Sequence, residues 1–117
     1  MPDVRAPSVP TDEHARLAVD TFRMLADPTR LKVLWILLQG EAHVSALCQH
    51  TGASAPAVSQ HLAKLRLAGL VSSRREGTFV YYSAASAHVR RLLTEALSHA
   101  EHVGGEVTGA DPHTYDA

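Results

Sequence analysis

Three histidines near the carboxy-terminal end of the chain, His88, His99 and His102, have the side-chain type and the spacing to bind a transition metal. An imidazole nitrogen suits zinc, nickel and cobalt alike. At about 100° per residue, His99 falls about 20° from His88 around a helix and His102 about 40° to the other side, so the three share one stripe. Val89, Leu92, Leu93, Ala96, Leu97, Ala100 and Val103 form an adjoining apolar face, so the imidazoles border an interface. His88 and His99 are nevertheless about 16 Å apart along the axis, whereas two ligands of one ion need nitrogens about 3 to 4 Å from each other. One chain cannot close such a site. Two antiparallel copies of the helix about a two-fold axis can, with His88 of each copy meeting His99 and His102 of the other and symmetry creating a second site. The competing reading of the three residues is a solvated, pH-titrating surface on an acidic helix.

The elements that must position these groups belong to a chain of 117 residues, enough for one compact domain with one core. The single cysteine, Cys48, excludes an internal disulfide and a thiolate cage of the zinc-finger kind, so a metal site must use nitrogen and oxygen. Cys48 itself reads as a small buried hydrophobe. The longest apolar run, Val33 to Leu38, is too short to span a bilayer, and the amino terminus has no apolar signal core. A cytoplasmic protein without membrane association is expected. The net charge of -1 conceals a polarity along the chain. Between Ser54 and Tyr82 stand Lys64, Arg66, Arg74 and Arg75 against Glu76 alone, whereas from Glu95 onward every charged residue is acidic. The basic middle is the part suited to a polyanion.

Residues 1–10, with Pro2, Pro7 and Pro10 and no periodicity, read as a mobile arm. Thr11 is an N-cap for a helix over about 12–26, with Asp12 and Glu13 in its first turn. Its apolar residues fall on two sides, Leu17 and Met24 on one and Val19, Phe22 and Ala26 on the other, so it suits contact with both its own core and a partner. Asp27, Pro28 and Gly40 bracket a second helix whose wide apolar face, with Leu31, Leu34, Trp35 and Leu38 at its centre, marks it as the central buried one. A short helix over 44–50 precedes "TGAS", and Ser54 then caps a helix over 55–68 that stops at Gly69, with helix-turn-helix spacing between the two. "LVSSRREGTFVYYS" reads as strands over 71–74 and 78–82 turning at Glu76 and Gly77, a β-wing. The last helix is expected over 87–103, with Ser86 as its N-cap and a stop at Gly104 and Gly105. Three segments result: the arm, a winged domain over 11–103, and a polar tail over 104–117.

In the helix over 55–68, Val58, Leu62 and Leu65 define a buried stripe, which turns Pro56, Ser59, Gln60 and Ala63 outward. Small and amide-bearing side chains suit a helix entering a major groove, since the backbone comes close and glutamine can pair with adenine. Arg74 and Arg75 on the wing would take phosphates or probe the adjacent minor groove. Ser54 and Lys64 complete the candidate DNA-contacting set, while His61 near the buried stripe suits a hydrogen bond at the core edge. The alternative is a helix-turn-helix that never meets DNA, with Ser59 and Gln60 merely solvated.

"FRMLADPTRLKVLWILL", "VSQHLAKLRLAGLV" and "REGTFVYYS" together resemble the ArsR/SmtB metal-responsive repressors, over roughly residues 15–103. The resemblance implies a mainly α fold with a small β-hairpin, a homodimeric winged helix-turn-helix whose first and last helices form the dimer interface. It also implies a repressor that releases operator DNA when an inducer binds. Members with a site between the last helices carry Asp-x-His, ten residues, then His-x-x-His or Glu. His88, His99 and His102 match the last three positions, but Ser86 stands at the aspartate. The fourth donor would then come from water, Glu101, Asp111 or His113, although Glu101 projects from the polar face of an unbroken helix. The family's thiolate site is absent, since "EAHVSAL" places His43 and Ser45 there. Extra tail donors would favour nickel or cobalt, as in the nickel/cobalt-sensing branch that "AEH" and "RMLADPTR" resemble, with zinc the competitor. A winged-helix regulator answering a non-metal signal is the alternative function. An enzyme is not expected, because neither an HExxH motif nor a nucleophile motif occurs.

Overall fold

The computed structural model describes residues 8–107. Within them the order is α1 (Asp12–Leu25), α2 (Pro28–Gln39), α3 (Val44–Thr51), α4 (Ala55–Leu67), β1 (Val71–Glu76), β2 (Phe79–Ala84) and α5 (Ala87–Val107). The amino-terminal ends follow the caps read from the sequence. The Thr11 hydroxyl accepts from the backbone N–H of His14 at 3.1 Å, the Asp27 carboxylate from that of Arg30 at 2.8 Å, and the Ser54 hydroxyl from that of Ala57 at 3.3 Å. Ser86 does the same for His88 at 3.1 Å. The cap of α3 is less usual: Nδ1 of His43 accepts from the N–H of Ala46 at 3.3 Å.

β1 and β2 pair antiparallel from Val71↔Ala84 to Glu76↔Phe79, so both strands are longer than expected and the turn is Gly77-Thr78. Gly77 has φ 62 and no other residue type takes positive φ among the described residues, which suits a two-residue turn with glycine first. The connector between α2 and α3 joins this hairpin through one bridge, Ala42↔Tyr82, which exchanges N–H···O bonds of 3.0 and 2.8 Å.

α5 corrects the sequence reading. It continues through Gly104 and Gly105 to Val107, beyond the stop expected at residue 103. Glycine ends a helix efficiently where it turns left-handed, as Gly52 does after α3 at φ 76. In helical conformation it costs only about 1 kcal/mol relative to alanine, which a long helix tolerates.

α2 is the hub, packing against α1, α3, α4, α5 and β2. Val33, Leu34, Leu37 and Leu38 are buried there against Leu47 of α3, Val58, Leu62 and Leu65 of α4, Leu70 and Val71 at the start of the wing, and Val89 and Leu93 of α5. Because neighbours surround α2 on several sides, its buried arc exceeds one stripe, and Leu31 and Trp35 are only partly covered. Cys48 is likewise partly buried beside the core. α1 contributes no buried residue; Met24 and Leu25 touch the core, whereas Leu17, Val19 and Phe22 stay exposed.

One charge is buried in this core. Arg30, 9% exposed, donates from Nη1 to the carbonyl of Met24 at 3.2 Å and from Nε to Nδ1 of His61 at 3.3 Å, joining α1, α2 and α4. His61 thus makes the core-edge hydrogen bond that its position on α4 suggested. At the far end of α2, the Arg90 guanidinium of α5 donates to the carbonyl of Leu38.

The hydrogen bond from the Arg30 N–H, followed by attraction from His61 and Arg30, holds the Asp27 carboxyl below the usual aspartate range. A lowered folded pKa stabilises fully above the unfolded value, and that stabilisation is lost as pH falls through the folded value. Asparagine caps as well as aspartate but does not titrate here. Asp27→Asn is therefore expected to give a shallower fall of thermal midpoint below about pH 4 than the unsubstituted protein, measured by circular dichroism.

Candidate functional site

The turn before α4 is tightly built. The Thr51 hydroxyl donates to the Leu47 carbonyl at 2.7 Å and accepts from the Ala53 N–H at 3.2 Å, with Gly52 left-handed between them. This sets the angle at which α4 leaves α3. Val58, Leu62 and Leu65 point inward, and Ser54, Pro56, Ser59, Gln60, Ala63 and Lys64 are all exposed. The surface they make is small, amide-bearing and basic at its end, without a bulky apolar group. As a cap, Ser54 uses its oxygen as acceptor, which leaves its hydroxyl hydrogen to donate outward.

On the wing, Arg75 is exposed and Arg74 is engaged. Nε of Arg74 lies 2.9 Å from Oε2 of Glu41 while Nη2 meets Oε1, a bidentate pair, and Nη1 lies 2.7 Å from Oε2 of Glu76. Its guanidinium carbon stands 4.8 Å from the centre of the Tyr81 ring. Hydrogen bonding to Arg74 holds the Glu41 carboxyl below its ordinary range, and Glu41 and Glu76 together push the Arg74 pKa up. Sequence reasoning gave Arg74 to phosphate or minor groove and did not find Glu41. The only signal available was the unpaired acid in "QGEAH", 33 residues from its partner. His43 and Ser45, in place of the family's thiolates, have local roles: Ser45 Oγ lies 2.8 Å from His43 Nδ1, and the His43 ring packs 5.8 Å from Phe79 and 5.9 Å from Tyr81.

On α5, His88, Glu101, His99 and His102 are all exposed. Val89 and Leu93 face the core of their own chain, and Leu92 and Val103 are exposed beside the histidine stripe. Nη2 of Arg91 lies 2.7 Å from Nδ1 of His88. Together with Ala18, Thr21, Phe22, Leu70, Val89 and Leu92, His88 lines a groove of about 330 Å³ between α1 and α5. Glu101 lies elsewhere, beside Trp35, Leu97 and Gly104 in a groove of about 620 Å³ between α2 and α5. Around the helix it is about 100° to 160° from the three histidines. Since α5 is unbroken past Gly104, nothing brings Glu101 onto their stripe. Within one chain, no three His, Cys, Asp or Glu side chains among the described residues come together as a metal-ion ligand set. His113 and Asp111 lie outside the described residues, as do residues 1–7 of the arm.

A helix-turn-helix with its second helix exposed, followed by a two-stranded wing and packed on a central helix, defines a winged helix-turn-helix regulator. The model of the bacterial regulatory protein, arsR family, matches residues 27–73, from the start of α2 into β1. The chain is 50% identical over 93 residues to the HTH-type transcriptional regulator KmtR of Mycobacterium tuberculosis, covering 80% of this chain and 72% of that protein. To the cadmium resistance transcriptional regulatory protein CadC homolog of Staphylococcus aureus it is 36% identical, covering 70% and 69%. The fold matches the solution structure of the homodimeric winged helix-turn-helix DNA-binding domain Mb0332 of Mycobacterium bovis, with TM-score 0.71 and 32% identity over 86% of this chain and 95% of that one. The protein belongs to the ArsR/SmtB family of transcriptional regulators and is not an enzyme. Among the described residues no helix is long and apolar enough to cross a membrane.

Proposed function

We propose that this protein is a repressor that binds operator DNA as a homodimer and releases it when a divalent transition metal binds between the two copies of α5. His88 of one protomer, with His99 and His102 of the partner subunit, would hold the ion. A set of three imidazoles completed by oxygen from water or from Asp111 of the tail, or by a further nitrogen from His113, suits nickel or cobalt, with zinc as the alternative. The observation that carries this reading is the placement of the three histidines along the exposed apolar edge of α5. Leu92 of that edge and Phe22 of α1 line one groove, and with the exposed Val103 and Val19 they offer apolar side chains that a second copy would cover. The homodimeric state of the Mycobacterium bovis neighbour supports the pairing, and the cadmium-resistance role of the Staphylococcus aureus relative supports a metal as signal.

Release follows from linkage: a ligand that binds the low-affinity form of the dimer more tightly lowers operator occupancy by its differential affinity, typically about 1 to 3 kcal/mol. DNA-binding titrations with and without nickel, cobalt and zinc test this, and identical curves in all four conditions would remove the sensing role. On the DNA side, Ser54, Ser59, Gln60 and Lys64 of α4 with Arg75 of the wing would make the contacts. Gln60→Ala is expected to lose about 1 to 3 kcal/mol of discrimination at one base pair and leave non-sequence-specific binding unchanged, as read by competition between single-base operator variants.

The apolar groove between α1 and α5 favours a second reading, a small non-metal ligand. Equilibrium dialysis separates the two: intact DNA binding without metal uptake would favour the groove.

A further inference from the structure

The base of the wing packs on the core through Val71 and on α2 through β2. Beyond the base, the connector before α3 holds it with the His43 ring against Phe79 and Tyr81 and at two further neighbouring points. One is the backbone bridge between Ala42 and Tyr82. The other is Arg74, which stands directly across the hairpin from Tyr81, packs on that ring, and forks onto Glu41, the residue before Ala42. A two-stranded hairpin has little stability of its own. Beyond the packed base, one backbone bridge restrains it only weakly against pivoting, and the side-chain fork beside that bridge adds to the His43 contacts in limiting the pivot.

We propose that Arg74 is a positioning residue: it sets the angle of the wing by clamping Glu41, and serves DNA binding by presenting Arg75 and the wing tip rather than by touching a phosphate. Its Nε, Nη1 and Nη2 each donate to a carboxylate oxygen, which leaves one N–H on each Nη, and a phosphate reaching for these would meet the Glu41 and Glu76 carboxylates beside it. The cluster of Arg74 with Glu41 and Glu76 also carries two negative charges against one positive, and its net field repels a phosphate within a Debye length of about 8 Å. Arg75, next along β1, projects to the opposite face and is exposed.

The inference rests on the reading of this chain as a DNA-binding protein, and its test separates the two. The probe is a duplex selected by the unsubstituted protein from a random-sequence pool. Arg74→Lys keeps the charge and loses the fork. Glu41→Gln loses the clamp and removes a negative charge near the DNA. A positioning role has both weaken binding, by about fivefold, with an unchanged dependence of log affinity on log salt. Arg75→Gln, by contrast, lowers that salt slope by about one. A phosphate contact through Arg74 gives the opposite pattern: Arg74→Lys binds like the unsubstituted protein, Glu41→Gln binds more tightly, and Arg74→Gln lowers the slope by about one. That pattern overturns the proposal. Arg74 and Glu41 are about half exposed, so the variants are expected to fold, which thermal midpoints check. Failure of the unsubstituted protein to select any duplex would instead sink the DNA-binding reading, and the proposal with it.

Discussion

Replacing His88, His99 and His102 together with alanine is expected to abolish the response of operator binding to metal while leaving metal-free binding unchanged. The coupling to be lost is about 5- to 150-fold in affinity, the range of typical linkage between two sites. The fold should survive, because all three side chains are exposed and alanine is the better helix former. The cap of α5 is also untouched, since Ser86 accepts from the backbone of residue 88 and not from its ring. Mixed dimers sharpen the result. A His88→Ala protomer paired with a His99→Ala/His102→Ala protomer keeps one complete ligand set if the sites lie between subunits, and none if each chain binds its own ion. Cobalt absorption at half the unsubstituted stoichiometry in the mixed dimer supports the shared site. Loss of DNA binding in the triple variant would show instead that the histidines support the fold.

The largest stability effect is expected at Leu34, 0% exposed in the helix that the others pack around. Leu34→Ala removes buried carbon and leaves a cavity that α2, hemmed in by its neighbours, cannot close. The cost is about 2 to 5 kcal/mol, a large share of the roughly 5 to 15 kcal/mol that hold a domain together. Urea unfolding should show a lower midpoint with an unchanged slope. Leu67, the same residue type, is 91% exposed at the end of α4, and Leu67→Ala is expected to stay within about 0.5 kcal/mol. Both are measured at one protein concentration, since self-association adds to apparent stability. Equal losses at the two sites would contradict the burial described for α2.

The sequence by itself determined the helix starts and the inward faces. Thr11, Asp27, Ser54 and Ser86 cap where their types and positions predicted, because a cap acts on a backbone N–H two or three residues away. Val58, Leu62 and Leu65 turn inward because their spacing follows the helical repeat. The histidine stripe on α5 was legible for the same reason. Tertiary structure decided what depends on residues distant in sequence. The partner of Arg74 is 33 positions away and that of Arg30 is 31, and no local pattern marks either pairing. The bridge from Ala42 to Tyr82 is equally silent in the sequence, since its partners meet only once α2 and the wing have packed. Gly104 and Gly105 read as a stop by local preference, but a glycine stops a helix only when the chain takes the left-handed turn, and here it does not. That continuation keeps Glu101 against the Trp35 groove and away from the imidazoles. Local signals act through neighbouring backbone groups and the helical period, whereas the clamp on the wing and the orientation of Glu101 arise from packing around α2.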